Sequence, residues 1–136
     1  MIAEILIPLC LWLQCPPPPA PEDPPALVIL AETYQGMGDG DQDVLQWLPL
    51  VAGQFDEGEY DRALCLIAAE SGGNPNARNP SSGASGLMQI LPSWAAVYGV
   101  SRTDLFDPSI NLYIAADLQD RYGWTQWSPY NRGECR

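Results

Sequence analysis

The sequence predicts a mainly helical domain with little or no sheet, preceded by a proline-rich acidic leader. Apolar residues recur at helical spacing in three stretches after Asp43. Proline at first-turn positions and glycine just past the last periodic residue bracket those stretches. The charge is segregated as well: residues 1–61 hold eleven acids and no base, and residues 62–136 hold six acids and six arginines. The net charge of −11 therefore belongs to the first part. Three regions follow: an apolar leader at 1–15, a Pro-rich and acidic linker at 16–42, and a folded domain at 43–136.

Residues 1–15 are almost wholly apolar but shorter than the roughly 20 residues a bilayer-spanning helix needs. A secretory signal or membrane anchor is one reading and a strand or buried segment the other. Glu4 and the lack of a basic start depart from a standard signal. Pro16 to Pro25 holds seven prolines in ten residues, a stiff polyproline-II spacer. Asp39, Asp41 and Asp43 invite a calcium-loop reading, but Val44 and Leu50 stand where an EF-hand needs glycine and glutamate. A solvated acidic loop is the better assignment.

Val44, Trp47, Leu48 and Val51 mark one helix face, with Pro49 requiring either a kink or a later start. The next helix runs from Asp61 to about Ser71, with Ala63, Leu64, Ile67 and Ala68 as its apolar stripe and Gly72-Gly73 as its stop. Glu70 projects beside apolar neighbours at the C-terminal end of this helix. Desolvation and the negative end of the helix dipole both disfavour its ionised form. A carboxyl kept protonated near neutral pH suits a general acid; a surface glutamate at a helix end is the plainer alternative. Turn residues fill 74–86, and any sheet is confined between the Glu70 helix and Pro92. A short segment with Trp94, Val97 and Tyr98 follows. The last helix is capped by Asp107, opened by Pro108, striped by Ile110, Ile114 and Leu118, and ended by Gly123.

The composition excludes several chemistries. The chain has no histidine, and all its bases are arginine. A Ser-His-Asp triad, a Cys-His pair, imidazole metal ligands, Schiff-base chemistry and a P-loop are all out of reach. A pI near 4.1 argues against nucleic-acid binding. No metal and no cofactor is expected, and carboxylate, hydroxyl, amide and thiol chemistry remains.

Glu70-Ser71, Asn74-Pro75-Asn76-Ala77, Gly83-Ala84-Ser85-Gly86-Leu87-Met88-Gln89-Ile90 and Pro92 closely resemble the ES, NPxA, GASGLMQI and P signature of soluble lytic transglycosylases. Asp107-Pro108, Asn111, Ala115 and Leu118 resemble that family's DPxxNixxAxxL helix. Gly123-Trp124 with Trp127 resembles its GWxxW, and Tyr130-Asn131 with Gly133 its AYNxG. The resemblance runs from about Asp43 to the C-terminus.

It implies a lysozyme-like α+β domain that cleaves peptidoglycan glycan strands between N-acetylmuramic acid and N-acetylglucosamine. Glu70 would protonate the glycosidic oxygen, then take a proton from the muramyl C6 hydroxyl as that group closes a 1,6-anhydro ring. One carboxyl suffices for this lyase, whereas most glycoside hydrolases use two, about 5–5.5 Å or 6.5–9.5 Å apart. Of the later acids, Asp104, Asp107, Asp117, Asp120 and Glu134, none sits in the loop after Glu70.

Ser71, Asn79, Met88, Gln89 and Tyr130 are the implied substrate-binding residues. Many members carry serine where Asn79 stands, and the 80–83 stretch is one residue longer, so Ser81 or Ser82 offers a substitute hydroxyl. Trp94, Trp124 and Trp127 are candidates for sugar stacking, with core packing the commoner role for any one of them. The four cysteines allow three connectivities. Cys65–Cys135 is the favoured pair, with Cys10 and Cys15 separate, and a buried free thiol at Cys65 is the alternative. A bridge fits an extracytoplasmic location: cell envelope, secreted or phage virion. The expected partner is the glycan strand, met by a monomer whose membrane contact is limited to an N-terminal anchor. A hydrolytic muramidase and a non-catalytic wall-binding or virion protein are the rival readings.

Overall fold

The computed structural model describes residues 43–136. The leader, the proline spacer, Asp39, Asp41, Cys10 and Cys15 lie outside the described residues. After a helical turn at 43–45, five α-helices follow: α1 (Leu48–Gln54), α2 (Tyr60–Ser71), α3 (Pro92–Val97), α4 (Pro108–Tyr122) and α5 (Ser128–Asn131). Short 3₁₀ turns at Glu57–Glu59, Thr103–Phe106 and Trp124–Gln126 link them. The fold is mainly α, and no strand occurs among the described residues. Two isolated antiparallel bridges, Arg78 with Ser85 and Ser85 with Ile90, lie in the segment between α2 and α3.

Pro49 is accommodated by a late start. Trp47 is the N-cap and the proline falls in the first turn, where its missing N–H has no intrahelical partner to lose. Val44 stays buried in the preceding turn. In α2, Tyr60, Ala63, Leu64 and Ile67 form the i, i+3, i+4, i+7 face, and Leu66 widens it. Ala68, expected in that stripe, is exposed, because the core lies on the Leu66 side. Gly72 takes the left-handed C-cap at φ 61°. Gly73 follows with its backbone so close to the opening turn that a Cβ would stand 2.8 Å from the Asp43 carbonyl. The Trp47 indole donates to the Gly73 carbonyl at 2.8 Å, so the end of α2 is fixed from outside as well.

α4 is the central helix. The Asp107 carboxylate accepts from the Ser109 and Ile110 amides, and Gly123 closes the other end. Its buried face is Asn111, Leu112, Ile114, Ala115 and Leu118. Ile110 is only half-buried, and Asn111 occupies the interior position beside it. α1 packs against both α2 and α4, and α5 against α2. A disulfide joins Cys65 in α2 to Cys135, tying the C-terminal segment to the helix that carries Glu70.

Candidate active site

A cleft of about 240 Å³ opens at the C-terminal end of α2. Glu70 lies on it, half-buried, in the last turn. Asn79, Ser82, Ala84 and Gln89 form one wall, Leu91 and Trp94 continue it, and Gln126, Trp127 and Ser128 form the other. Glu70 is the only acid lining this cleft among the described residues. Burial raises its carboxyl above the ordinary value; the Arg132 guanidinium pulls it down and Glu134 pushes it up. No hydrogen bond within the described residues engages its side chain, so both carboxyl oxygens are open to a ligand.

Four of the later carboxylates are committed elsewhere. Asp107 caps α4. Asp117 accepts from the Tyr98 hydroxyl at 2.5 Å and from Arg121 at 2.7 Å, and both hold it below the usual carboxylate range. Desolvation and this bond push the Tyr98 hydroxyl up to about 12. Ser101 holds Asp104 low. Glu134 is bound by both ends of the Arg132 guanidinium, at 2.6 and 3.2 Å.

The 77–90 wall is rigid for a local reason. Asn111 is fully buried, and its amide is completely used. Its Nδ2 donates to the Ser85 carbonyl at 2.9 Å and the Leu105 carbonyl at 2.8 Å, while its Oδ1 accepts from the Met88 amide at 2.9 Å. Gly86 is required for this approach. A Cβ there would lie 2.2 Å from both Asn111 Nδ2 and the Leu105 oxygen. Gln89 has φ 47°, the one non-glycine residue in the left-handed region among those described. Such strain persists where surrounding structure holds it and often marks a functional position. Here Gln89 Nε2 donates to the Ala77 and Gly86 carbonyls at 3.1 and 3.0 Å, leaving its amide oxygen as an acceptor at the cleft.

The structure sorts the remaining expected residues. Asn79 lines the cleft; its Oδ1 accepts from the Ser81 and Ser82 amides, and its NH₂ makes no bond within the described residues. Of the two serines proposed as substitutes, Ser82 is the one at the cleft. Trp94, half-buried, lines it too, and Trp127 borders it although it is as buried as Trp124 and packs in the same core.

Four residues stand apart. Met88 is fully buried, and Gln89, at positive φ, is the one of the two that lines the cleft. Its carbonyl accepts from the Trp127 indole at 2.9 Å, so it supports the site without lining it. The Ser71 hydroxyl donates back to the Ile67 carbonyl at 3.0 Å. Trp124 is 5 % exposed, stacks on Phe55 and gives its indole proton to Glu59, which makes it a core residue. Tyr130 lies outside the cleft lining, with the Arg62 and Arg136 guanidiniums each 5.8 Å from its ring centroid. Sequence reasoning missed Gln126, Ser128 and the Arg132–Glu134 pair. Gln126 sits inside the Trp-x-x-Trp segment and Arg132 inside Tyr-Asn-x-Gly, so their positions were visible without their roles.

The family model described as "Transglycosylase SLT domain" matches residues 49–136. The chain belongs to this family. A protein named "Transglycosylase" from Enterobacteria phage PRD1 is 36% identical to this chain over 85 residues, covering 58% of the chain. That match spans 31% of the phage protein's own length. No solved structure matches the chain with significance. Within the SLT domain no helix among the described residues is long and apolar enough to cross a membrane.

Proposed function

We propose that this SLT domain is a peptidoglycan lytic transglycosylase, with Glu70 as its single acid/base. The observation that carries the reading is the cleft itself: one carboxyl, raised by burial, with no second acid among the described residues that line it. In its protonated form Glu70 donates to the glycosidic oxygen, which leaves with the bonding electron pair. The muramyl C6 hydroxyl then adds to C1 and returns its proton to Glu70, so water is not consumed. The substrate's own N-acetyl carbonyl stabilises the cationic centre that a second carboxylate would otherwise face.

Around that step, the Gln89 oxygen accepts a sugar N–H or O–H, the Asn79 NH₂ and the Ser82 hydroxyl meet the acetamido group, and Trp94 offers a face to a neighbouring sugar. The work takes place outside the cytoplasm, in the envelope or a virion, on strands approached by a domain whose charges balance after residue 61.

Glu70→Gln keeps the shape and removes the proton donor. Activity on purified peptidoglycan is expected to fall by about 10²–10⁴-fold, and mass spectrometry of wild-type products should show 1,6-anhydro ends. Products one water heavier would mean a hydrolase. Equal lysis by the variant and the parent would remove the catalytic reading altogether.

A further inference from the structure

The wall between Arg78 and Ser85 has two faces, and only one belongs to the Glu70 cleft. Arg78 pairs with Ser85 in an antiparallel bridge, and the Asn79 amide donates to the Ala84 carbonyl at 2.8 Å. Successive residues in such a pairing point to opposite sides. Asn79 and Ala84 accordingly face Glu70, and Arg78 and Ser85 face a second cavity of about 250 Å³ completed by Arg102, Thr103 and Phe106. Gly83 keeps the wall thin: a Cβ there would stand 2.9 Å from Arg102 Nη2, so the guanidinium lies against the wall's backbone.

The charge in this cavity is unbalanced. Three of the arginines are paired, Arg62 with Glu59, Arg121 with Asp117 and Arg132 with Glu134. Arg78 and Arg102 pair with no acid among the described residues, in a chain where acids outnumber bases 17 to 6. No acid lines the cavity. The acids nearest along the chain are occupied, Asp104 by the Ser101 amide at 2.7 Å and Asp107 by the α4 amides. Asn79, Ser82 and Gln89, across the wall, are uncharged.

We propose that this cavity binds an oxyanion carried by the substrate strand, the carboxylate of a stem peptide hanging from a muramyl residue. The proposal rests on the transglycosylase reading and deepens it. Guanidinium groups fork onto carboxylate or phosphate oxygens through paired N–H donors. The Thr103 hydroxyl adds a donor, and the Phe106 ring gives an apolar surface for the peptide's aliphatic parts. Strand and peptide would then straddle the 78–85 wall, sugar on one side and carboxylate on the other. Phosphate groups of wall-linked polymers carry the same oxyanion chemistry, and the test separates the two sources.

The experiment uses the full chain with Glu70→Gln, so the reading is binding and not cleavage. Three probes are titrated while the arginine Nε–Hε NMR signals are followed: a soluble stem tetrapeptide with free carboxylates, the same peptide fully amidated, and inorganic phosphate. The free peptide is expected to shift the Arg78 and Arg102 signals. Amidation, or Arg78→Gln with Arg102→Gln, should weaken binding by about tenfold. Equal binding of the free and amidated peptides, or no binding of either, overturns the proposal without any variant being needed. Phosphate binding more tightly than the peptide overturns the peptide assignment. A cleavage assay on the Glu70 parent is separate, so a missing activity and a missing peptide site are told apart.

Discussion

The two walls of the Glu70 cleft are built in opposite ways. The 77–90 wall is one continuous segment held at its middle by a single interior side chain, Asn111, with all three amide bonds made to backbone. The facing wall, Gln126 to Ser128, has no such centre. Two indole hydrogen bonds hold it, Trp127 to the Met88 carbonyl and Trp124 to Glu59, together with the Cys65–Cys135 bridge beyond it. The first wall is braced through that one side chain, supplied by α4. The second is a C-terminal segment fastened to partners 39, 65 and 70 positions away in sequence, so its position depends on contacts that can be removed one at a time.

That contrast predicts very different penalties. Asn111→Ala leaves the Ser85 and Leu105 carbonyls and the Met88 amide buried without partners, and opens a hole against Gly86. Unpaired buried groups cost about 1–3 kcal/mol each and are not additive, so a loss of about 3–5 kcal/mol is expected. Against a typical domain stability of about 5–15 kcal/mol this approaches unfolding. Urea denaturation measures it through the midpoint at constant slope. A loss below about 1 kcal/mol would show that the wall does not depend on this amide.

Opening the bridge tests the other wall. The disulfide spans 70 residues of sequence, and removing it with Cys65→Ser and Cys135→Ser is expected to cost about 2–4 kcal/mol, chiefly by freeing the unfolded chain. The local signature separates the walls. Amide exchange should accelerate across α5 and the residues after it, while the Asn79, Ser85, Gly86 and Ile90 amides, bonded within their own segment, keep their relative protection. Equal acceleration in both segments would mean that the walls move as one unit.

The same contrast explains what could be read from the sequence. α2, the Asp107 cap, the Gly72 and Gly123 stops and the position of Glu70 follow from periodicity and punctuation, which are local signals. The 77–90 segment was legible as turns, but not which side chains it shows. Met88 and Gln89 were both expected at the cleft; Gln89, at positive φ, lines it, and Met88 is fully buried. The C-terminal segment has no period at all. Nothing local distinguishes Trp124, stacked on Phe55 and bonded to Glu59, from Trp127 at the cleft. Tyr130 was placed by resemblance, and two arginines from separate ends of the domain claim its ring instead. Side chains whose partners lie far along the chain are the ones whose surroundings the sequence does not show.

The smallest expected effect lies where the walls meet, at Glu70. Burial sets its folded pKa above the ordinary value of 4.5, with Arg132 and Glu134, both on the C-terminal side, modulating it in opposite directions. Below that ordinary value the carboxyl is protonated in folded and unfolded chains alike, and it imposes no penalty. As pH rises, the unfolded chain releases its proton first. The folded state therefore loses stability until the pH passes the raised folded pKa, after which the loss is constant. Glu70→Gln cannot ionise and escapes this loss. The variant should melt at the parent's temperature in acid and slightly above it near neutrality, the gap opening between the ordinary and the raised pKa. Calorimetry across pH 4–8, a window chosen to bracket that rise, reads it directly. A variant that melts below the parent near neutrality would reverse the sign: Arg132, not burial, would dominate at Glu70, and the C-terminal wall would be holding a carboxylate rather than an acid.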